Sequence, residues 1–358
     1  MLRLFLAALL VASVLPTTGS ARLDARRPGR PLLTYVPRSG GLCLVRPDGS
    51  HRVRLLTSPV DVYGPAWSPG GRYVAFNWRP GVIAFANARG RVLWRIARAG
   101  VGFGGTVWSP DGRHIAHYVG STGPPYWYEL VIARPSGAHE VRIGGSMDPA
   151  GDANYPVWAL DSEHLAFDGV EHTQDAVPSI FSIPVEGGDW RLLVRSAEHP
   201  AYSADGSKLA YAALDERFHS DSVGIYVADA NGGNPRMVAA GPAVYWPTWS
   251  PDGSLIAFER LDVTNGRGWE VVVAKADGTG EHIVASGLAF PQGPSPVVSW
   301  SPGGRLLAFY KGDRSLVVAN ADGTGMRVVA RHVRLWTDYA PPAWRPAVAL
   351  SAATRRRC

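Results

Sequence analysis

Cysteine is nearly absent: Cys43 and Cys358 are the only two in 358 residues. No Cys-x-x-Cys pair exists, which excludes a zinc ribbon and a dithiol redox motif. Lysine is scarce as well, found only at Lys208, Lys275 and Lys311, so arginine carries nearly all the positive charge of a chain with formal net charge +6. The arginines are scattered, with short runs only at Arg26-Arg27 and Arg355-Arg356-Arg357. A nucleic-acid surface needs basic residues gathered on one face with aromatics for stacking, so no nucleic-acid partner is expected. Charged residues are only 18% of the chain and hydrophobic residues 46%. That balance excludes a disordered polymer and supplies a large core. There is no Asn-x-Ser/Thr sequon and no His-Glu-x-x-His. Gly144-Gly145-Ser146-Met147-Asp148 lacks the last glycine of a nucleophile elbow, so a serine hydrolase of that type is not expected.

Long apolar runs are also missing, apart from one at residues 4–15, which follows Arg3 and leads into Pro16 and the small residues Thr17 to Ala21. This is the pattern of a secretory signal peptide, and the run is too short to span a bilayer. Residues 1–21 are read as the signal, residues 22–30 as a linker, and the mature protein as secreted or periplasmic with no membrane span.

Glycine (41) and proline (29) are plentiful and spread along the chain, which favours short strands and tight turns over helices. They belong to an internal repeat. Its six copies start at Trp67, Trp108, Trp158, Tyr202, Trp249 and Trp300, and four of them begin Trp-Ser-Pro-Asp/Gly-Gly. A truncated seventh start is Pro342-Ala343-Trp344. The aromatic-to-aromatic steps are 41, 50, 44, 47, 51 and 44 residues, a propeller-blade period. Pro-Asp-Gly suits a tight turn, since proline presets φ and glycine accepts a positive φ. The strand after each turn carries an alanine in every copy: Ala75, Ala116, Ala166, Ala210, Ala257 and Ala308. A small residue there lets neighbouring sheets approach, while the aromatic before the turn fills the gap between blades.

Seven later strands end in Gly turns, the first at residues 42–49 and the last at 316–323. Residues 31–58 therefore hold three strands of a unit whose first strand comes from residues 338–346. The fold expected is an all-β, seven-bladed propeller over residues 31–346, with four-stranded antiparallel blades and one blade shared by the two ends of the chain. Six blades is the alternative. Residues 347–358 form a basic tail. That tail is long enough to reach Cys43, but Cys43 lies mid-strand and a terminal Cys358 usually frays, so two free thiols are expected.

The Trp-Ser-Pro-Asp-Gly-x-x-Ile-Ala-Phe pattern resembles the TolB-type β-propeller repeat over nearly the whole mature chain. The resemblance leaves out the TolB amino-terminal α/β domain, since the propeller starts near residue 31. It implies a periplasmic translocation-type role, or kinship with propellers of prolyl-oligopeptidase-like enzymes and pectin-fragment lyases. The pattern departs at Ala159-Leu160-Asp161-Ser162 and at Tyr202.

Residues just before each repeat aromatic lead into the innermost strands and face one mouth of the channel. Asp61, Tyr63, Phe103, Asp152, Tyr155, Glu198, His199, Tyr245, Trp246, Asp338 and Tyr339 are the candidate ligand-binding residues. Aromatics with acids around a funnel make a binding surface, although each aromatic could instead cap the packing between blades. His114 and His117, three apart on a strand, point to opposite faces, and the histidines are expected at loops and edges. No metal or cofactor is expected. The function read from these features is a secreted, non-catalytic, monomeric propeller that binds a protein, peptide or glycan at its channel mouth. The alternative is a polysaccharide lyase or hydrolase whose site is assembled from several blades.

Overall fold

The computed structural model describes residues 31–58, 62–98, 101–121, 128–144, 154–170, 177–215, 222–263, 266, 268–288, 297–334, 341–346 and 358. Seven four-stranded antiparallel sheets form a ring, with no helix among the described residues. The sheets are named blades 1 to 7 in chain order. Blades 2 to 7 occupy residues 63–97, 101–144, 154–195, 197–240, 244–288 and 299–330. Blade 1 combines strands within residues 32–56 with the strand Ala343–Arg345, which pairs antiparallel through Leu33 opposite Trp344. Seven blades and the shared closing blade are therefore as the repeat arithmetic predicts, and the six-bladed alternative falls.

The repeat turn folds for local reasons. In blade 3, Ser109 Oγ donates to Asp111 Oδ1 at 2.6 Å, and the amide N–H of Arg113 donates to the same oxygen at 2.9 Å. Ser203-Asp205 and Ser250-Asp252 repeat the serine–aspartate bond at the same 2.6 Å. These bonds satisfy the turn amides without a neighbouring strand. The six repeat alanines are all fully buried. Both faces of each blade are thus covered, which explains the continuous apolar runs.

The seams between blades are closed by tryptophan. Trp108 Nε1 donates to Ala66 O at 3.1 Å, Trp249 to Ala201 O at 3.0 Å and Trp300 to Thr248 O at 3.1 Å. Trp158 and Trp344 do the same at 3.4 and 3.3 Å, and Trp67 donates to Thr34 Oγ1 at 2.7 Å. Each indole bridges back to the blade before it, to the innermost strand in five cases and to the second strand of blade 1 for Trp67, combining ring burial with a satisfied N–H.

Two expectations need correction. Cys43 and Cys358 are disulfide-bonded, with Cα atoms 6.2 Å apart, and are not free thiols. Cys43 lies on the third strand of blade 1, and the 13 residues from Arg345 to Cys358 easily span the way back to it. The covalent bond itself overrides the fraying assumed for a terminal residue. His117 is not at a loop or edge: it occupies the repeat's Phe position in blade 3 and is fully buried. Burial, with the nearby Arg98 charge, pulls its imidazole down to about 3, so it sits in the core uncharged.

Candidate functional site

The innermost strands do not run straight. In blades 2 to 6 their pairing slips between Tyr63 and Ala66, Gly104 and Val107, Asn154 and Val157, Glu198 and Ala201, and Tyr245 and Thr248. Each slip is a bulge of two residues: Gly64-Pro65, Gly105-Thr106, Tyr155-Pro156, His199-Pro200 and Trp246-Pro247. The first residue of each has positive φ, at 57°, 56°, 47°, 58° and 56°. Proline cannot donate to the ladder and disfavours right-handed helical geometry in the residue before it, so the X-Pro pairs localise the bulge. Gly64 and Gly105 meet the geometry without strain, and a Cβ at Gly105 would run into the Tyr118 ring.

The bulges turn these residues toward the ring axis. There they line a cavity of about 530 Å³ to which all seven blades contribute, with Val297-Val298 from blade 7 and Pro341, Ala343 and Trp344 from blade 1. Among the described lining residues none is an aspartate, glutamate, lysine or arginine.

One side of the wall is aromatic. The His199 and Trp246 ring centroids lie 3.6 Å apart. Tyr155 sets its edge against Trp246 at 4.6 Å and lies 5.4 Å from His199. Tyr245 supports His199 at 5.9 Å and reaches on to Trp269 at 6.1 Å. The wall is fixed from behind by carboxyl groups of the preceding blade. The His199 amide N–H donates to both oxygens of the buried Asp168 at 3.0 Å, and the Val298 N–H donates to Glu259 Oε1 at 3.1 Å. Burial pushes the Asp168 carboxyl well above its ordinary range despite that donor, and the neighbouring Glu198 charge pushes it further. Burial raises Glu198 as well. His199 is pulled down to about 3 by burial and is therefore neutral near pH 7. Its Nδ1 and the Thr106 Oγ1 are buried without a partner, on side chains that line the cavity.

Of the candidates named from sequence, Tyr155, His199 and Trp246 come together on this wall. Tyr245 stands behind it. Tyr63 is buried at the start of its strand, and the next residue, Gly64, takes the lining position. Glu198 pairs opposite Ala212 and does not line the cavity. The backbone of Phe103 pairs opposite Val119, and its side chain is not among those described; Gly105 and Thr106 line the cavity in that blade. Asp61, Asp152, Asp338 and Tyr339 lie outside the described residues. Sequence reasoning missed Thr106, and it missed Gly64, Gly105 and Val297, which share a readable signal. Their signal is a fixed offset: the lining residue stands three places before the seam aromatic, and a proline follows it in five of seven blades. Among the described residues no group of three or more His, Cys, Asp or Glu side chains is arranged to hold a metal ion.

No family model matches the chain. Over 106 residues it is 31% identical to the Tol-Pal system protein TolB of Gluconobacter oxydans, a stretch covering 28% of this chain and 22% of that protein. The likeness lies in the propeller repeat, which resembles that of TolB. The matched stretch thus spans about a fifth of the curated relative's length, so the likeness concerns the TolB-type repeat and not the whole relative. Among solved structures, TolB from Acinetobacter baumannii superposes with a TM-score of 0.51 at 17% identity, covering 89% of this chain and 67% of that one. An oligogalacturonate lyase in complex with manganese superposes with a TM-score of 0.55 at 15% identity, covering 84% of this chain and 85% of that one. At such identities the two structures share the propeller fold with this chain, and no more.

Proposed function

We propose that this chain is an extracytoplasmic, non-catalytic binding protein that takes a protein, peptide or glycan at the mouth of its central channel. The observation that carries the reading is the backbone at the wall. Positive φ strains Tyr155, His199 and Trp246 by about 1 kcal/mol or more each, while glycine meets the same geometry freely in blades 2 and 3. Three bulky rings kept at strained positions on a shared cavity argue for work done by their side chains. The disulfide supports an oxidising compartment, in line with the amino-terminal apolar run. No helix of the described residues is long and apolar enough to cross a membrane.

The lyase reading draws less support. A uronate substrate would set carboxylates against a wall whose described residues carry no arginine or lysine. Peptide and glycan arrays probed with the mature protein and with Trp246→Ala test the proposal. Hits that the substitution abolishes are expected. Cleavage of an arrayed glycan, or hits indifferent to Trp246, would overturn it.

A further inference from the structure

The outer rims of three consecutive seams are tied in one way. The outer strands of blades 5, 6 and 7 begin at Arg236, His282 and Arg327. These residues hold the same register place, opposite Val227, Val273 and Val318. Each reaches across its seam to the carbonyl just before the Asp-Gly of the next blade's turn. Arg236 Nη2 donates to Ala276 O at 2.6 Å, and Arg327 Nε donates to Pro47 O at 2.7 Å. His282 Nε2 lies 2.9 Å from Ala321 O, and its Nδ1 lies 3.0 Å from Gly280 O in its own blade. Two of the three ties are thus made by a side chain that is always charged, and the one between them by a side chain that titrates.

The contacts of His282 decide which form the fold holds. A carbonyl oxygen only accepts, and a neutral imidazole carries a single N–H. With a carbonyl at each ring nitrogen, a neutral ring satisfies one and sets a lone pair against the other. Only the imidazolium donates to both. We propose that His282 is a pH-responsive clasp: protonated, it ties the outer edge of blade 6 to blade 7, and on losing its proton it releases that edge.

The charges around the ring agree. The two carbonyl contacts raise the imidazole above its ordinary 6.5, burial offsets them only in part, and Asp322 on the blade 7 turn adds an attractive charge. Asp322 is itself held in its charged form by the amide and hydroxyl of Thr324. Neighbours on the His282 side are engaged elsewhere. Glu281 pairs with Arg260 at 2.7 Å, Asp277 accepts from Thr279, and the Lys275 stem lies over Gly280. A group raised on folding stabilises fully below its unfolded value and loses that contribution as pH rises through the folded one. This seam is therefore firmer in acid and looser in alkali, the reverse of what the buried, uncharged His117 imposes. His282 is an exposed side chain, so its effect is local and is read at its own strand.

Two measurements on the mature, oxidised protein test the clasp. In the first, hydrogen exchange of residues 282–288 is expressed as a protection factor at acid and at alkaline pH. The outer strands 236–240 and 327–330, tied by arginine, serve as controls within the same molecule. Protection of 282–288 is expected to fall about threefold or more on going to alkaline pH, with a smaller change in the controls. His282→Arg should hold the strand at the acid level at both pH values. His282→Gln, which cannot carry the charge, should hold it at the alkaline level at both. In the second, the histidine ring protons are titrated by NMR, with the His282 signal assigned by its loss in His282→Arg. That signal should titrate above the ordinary 6.5. Protection that does not change with pH, an equal loss in the arginine-tied strands, a pH-dependent loss that persists in His282→Arg, or a His282 titration at or below 6.5 overturns the inference.

Discussion

At the seams, six of the seven blades lay an indole N–H on an oxygen of the blade before, at 2.7–3.4 Å. Three residues before each seam aromatic, the channel wall reads Gly64, Gly105, Tyr155, His199, Trp246, Val297 and Pro341. The two regions share one repeat and one backbone plan, yet one is nearly invariant around the ring and the other differs at almost every blade. A seam must fit the same neighbour seven times, so the same residue solves it each time. A wall residue faces the axis and is bound by no such symmetry, so its variation is where a ligand preference can be written. Blade 5 breaks the seam rule. Tyr202 replaces tryptophan there and hydrogen-bonds Ser182, and a groove of about 630 Å³ opens between blades 4 and 5 beside it.

The largest effect should come from the one seam made of two chain ends. The Cys43–Cys358 bond closes a loop of 315 residues around the split blade. In the loop-entropy picture its loss costs on the order of 5 kcal/mol. Denaturant unfolding with and without reductant, and of Cys358→Ser, measures it; midpoints that coincide would show that the three-residue strand Ala343–Arg345 closes the ring unaided. An internal seam should follow. Trp300 is buried among Val271, Val273, Leu307 and Phe309, so Trp300→Ala should cost about 3–5 kcal/mol and leave wall affinity unchanged. If binding at the channel fell in proportion to stability, seam and wall would not be separable.

The seam half of the comparison was legible in the sequence because its causes are local. Ser-Pro-Asp-Gly closes its own turn, the alanine sits at a fixed offset, and the tryptophan recurs at blade spacing. The wall was legible only in outline. Tyr155, His199 and Trp246 could be named from their place before the repeat aromatic. Tyr63, Glu198 and Tyr245 could not be told apart from them, because a two-residue bulge decides which neighbour turns to the axis. The Cys43–Cys358 pairing was not legible either, since it depends on where a tail lies in space and not on any pattern along the chain.

A smaller, pH-dependent effect contrasts core with repeat. His117 stands where Phe76, Phe167, Phe258 and Phe309 stand in other blades. It holds its proton only near pH 3 when folded, against an ordinary 6.5. Between those values the unfolded chain binds a proton that the native chain does not, so the stability from this site is full above pH 6.5 and is lost as pH falls. His117→Phe should remove that loss. Its advantage over the parent should grow by about 1.4 kcal/mol per pH unit on acidification from 6.5 toward 3. Parallel pH profiles for the two proteins would mean that His117 is already protonated in the fold. On the glycine side of the wall, Gly105→Ala should cost about 2 kcal/mol, since its φ is positive and the Tyr118 ring already fills the space.

The smallest change in stability should come from the aromatic side, and it gives the sharpest test of what that side is for. Trp246→Gly restores the residue type that blades 2 and 3 use at this position. It relieves a backbone held at φ 56°, a gain of about 1 kcal/mol or more. It also removes ring contacts with His199 and Tyr155, worth about 0.5–1.5 kcal/mol each. Trp246 is only half-buried, so the cavity penalty of a core deletion does not apply in full. The terms oppose each other and the net should stay within about 1 kcal/mol of the parent. Binding at the channel should nevertheless disappear. A variant that loses several kcal/mol would mean that the ring is structural, as the tryptophans of the seams are. A variant that keeps both stability and binding would overturn the aromatic wall as the binding site.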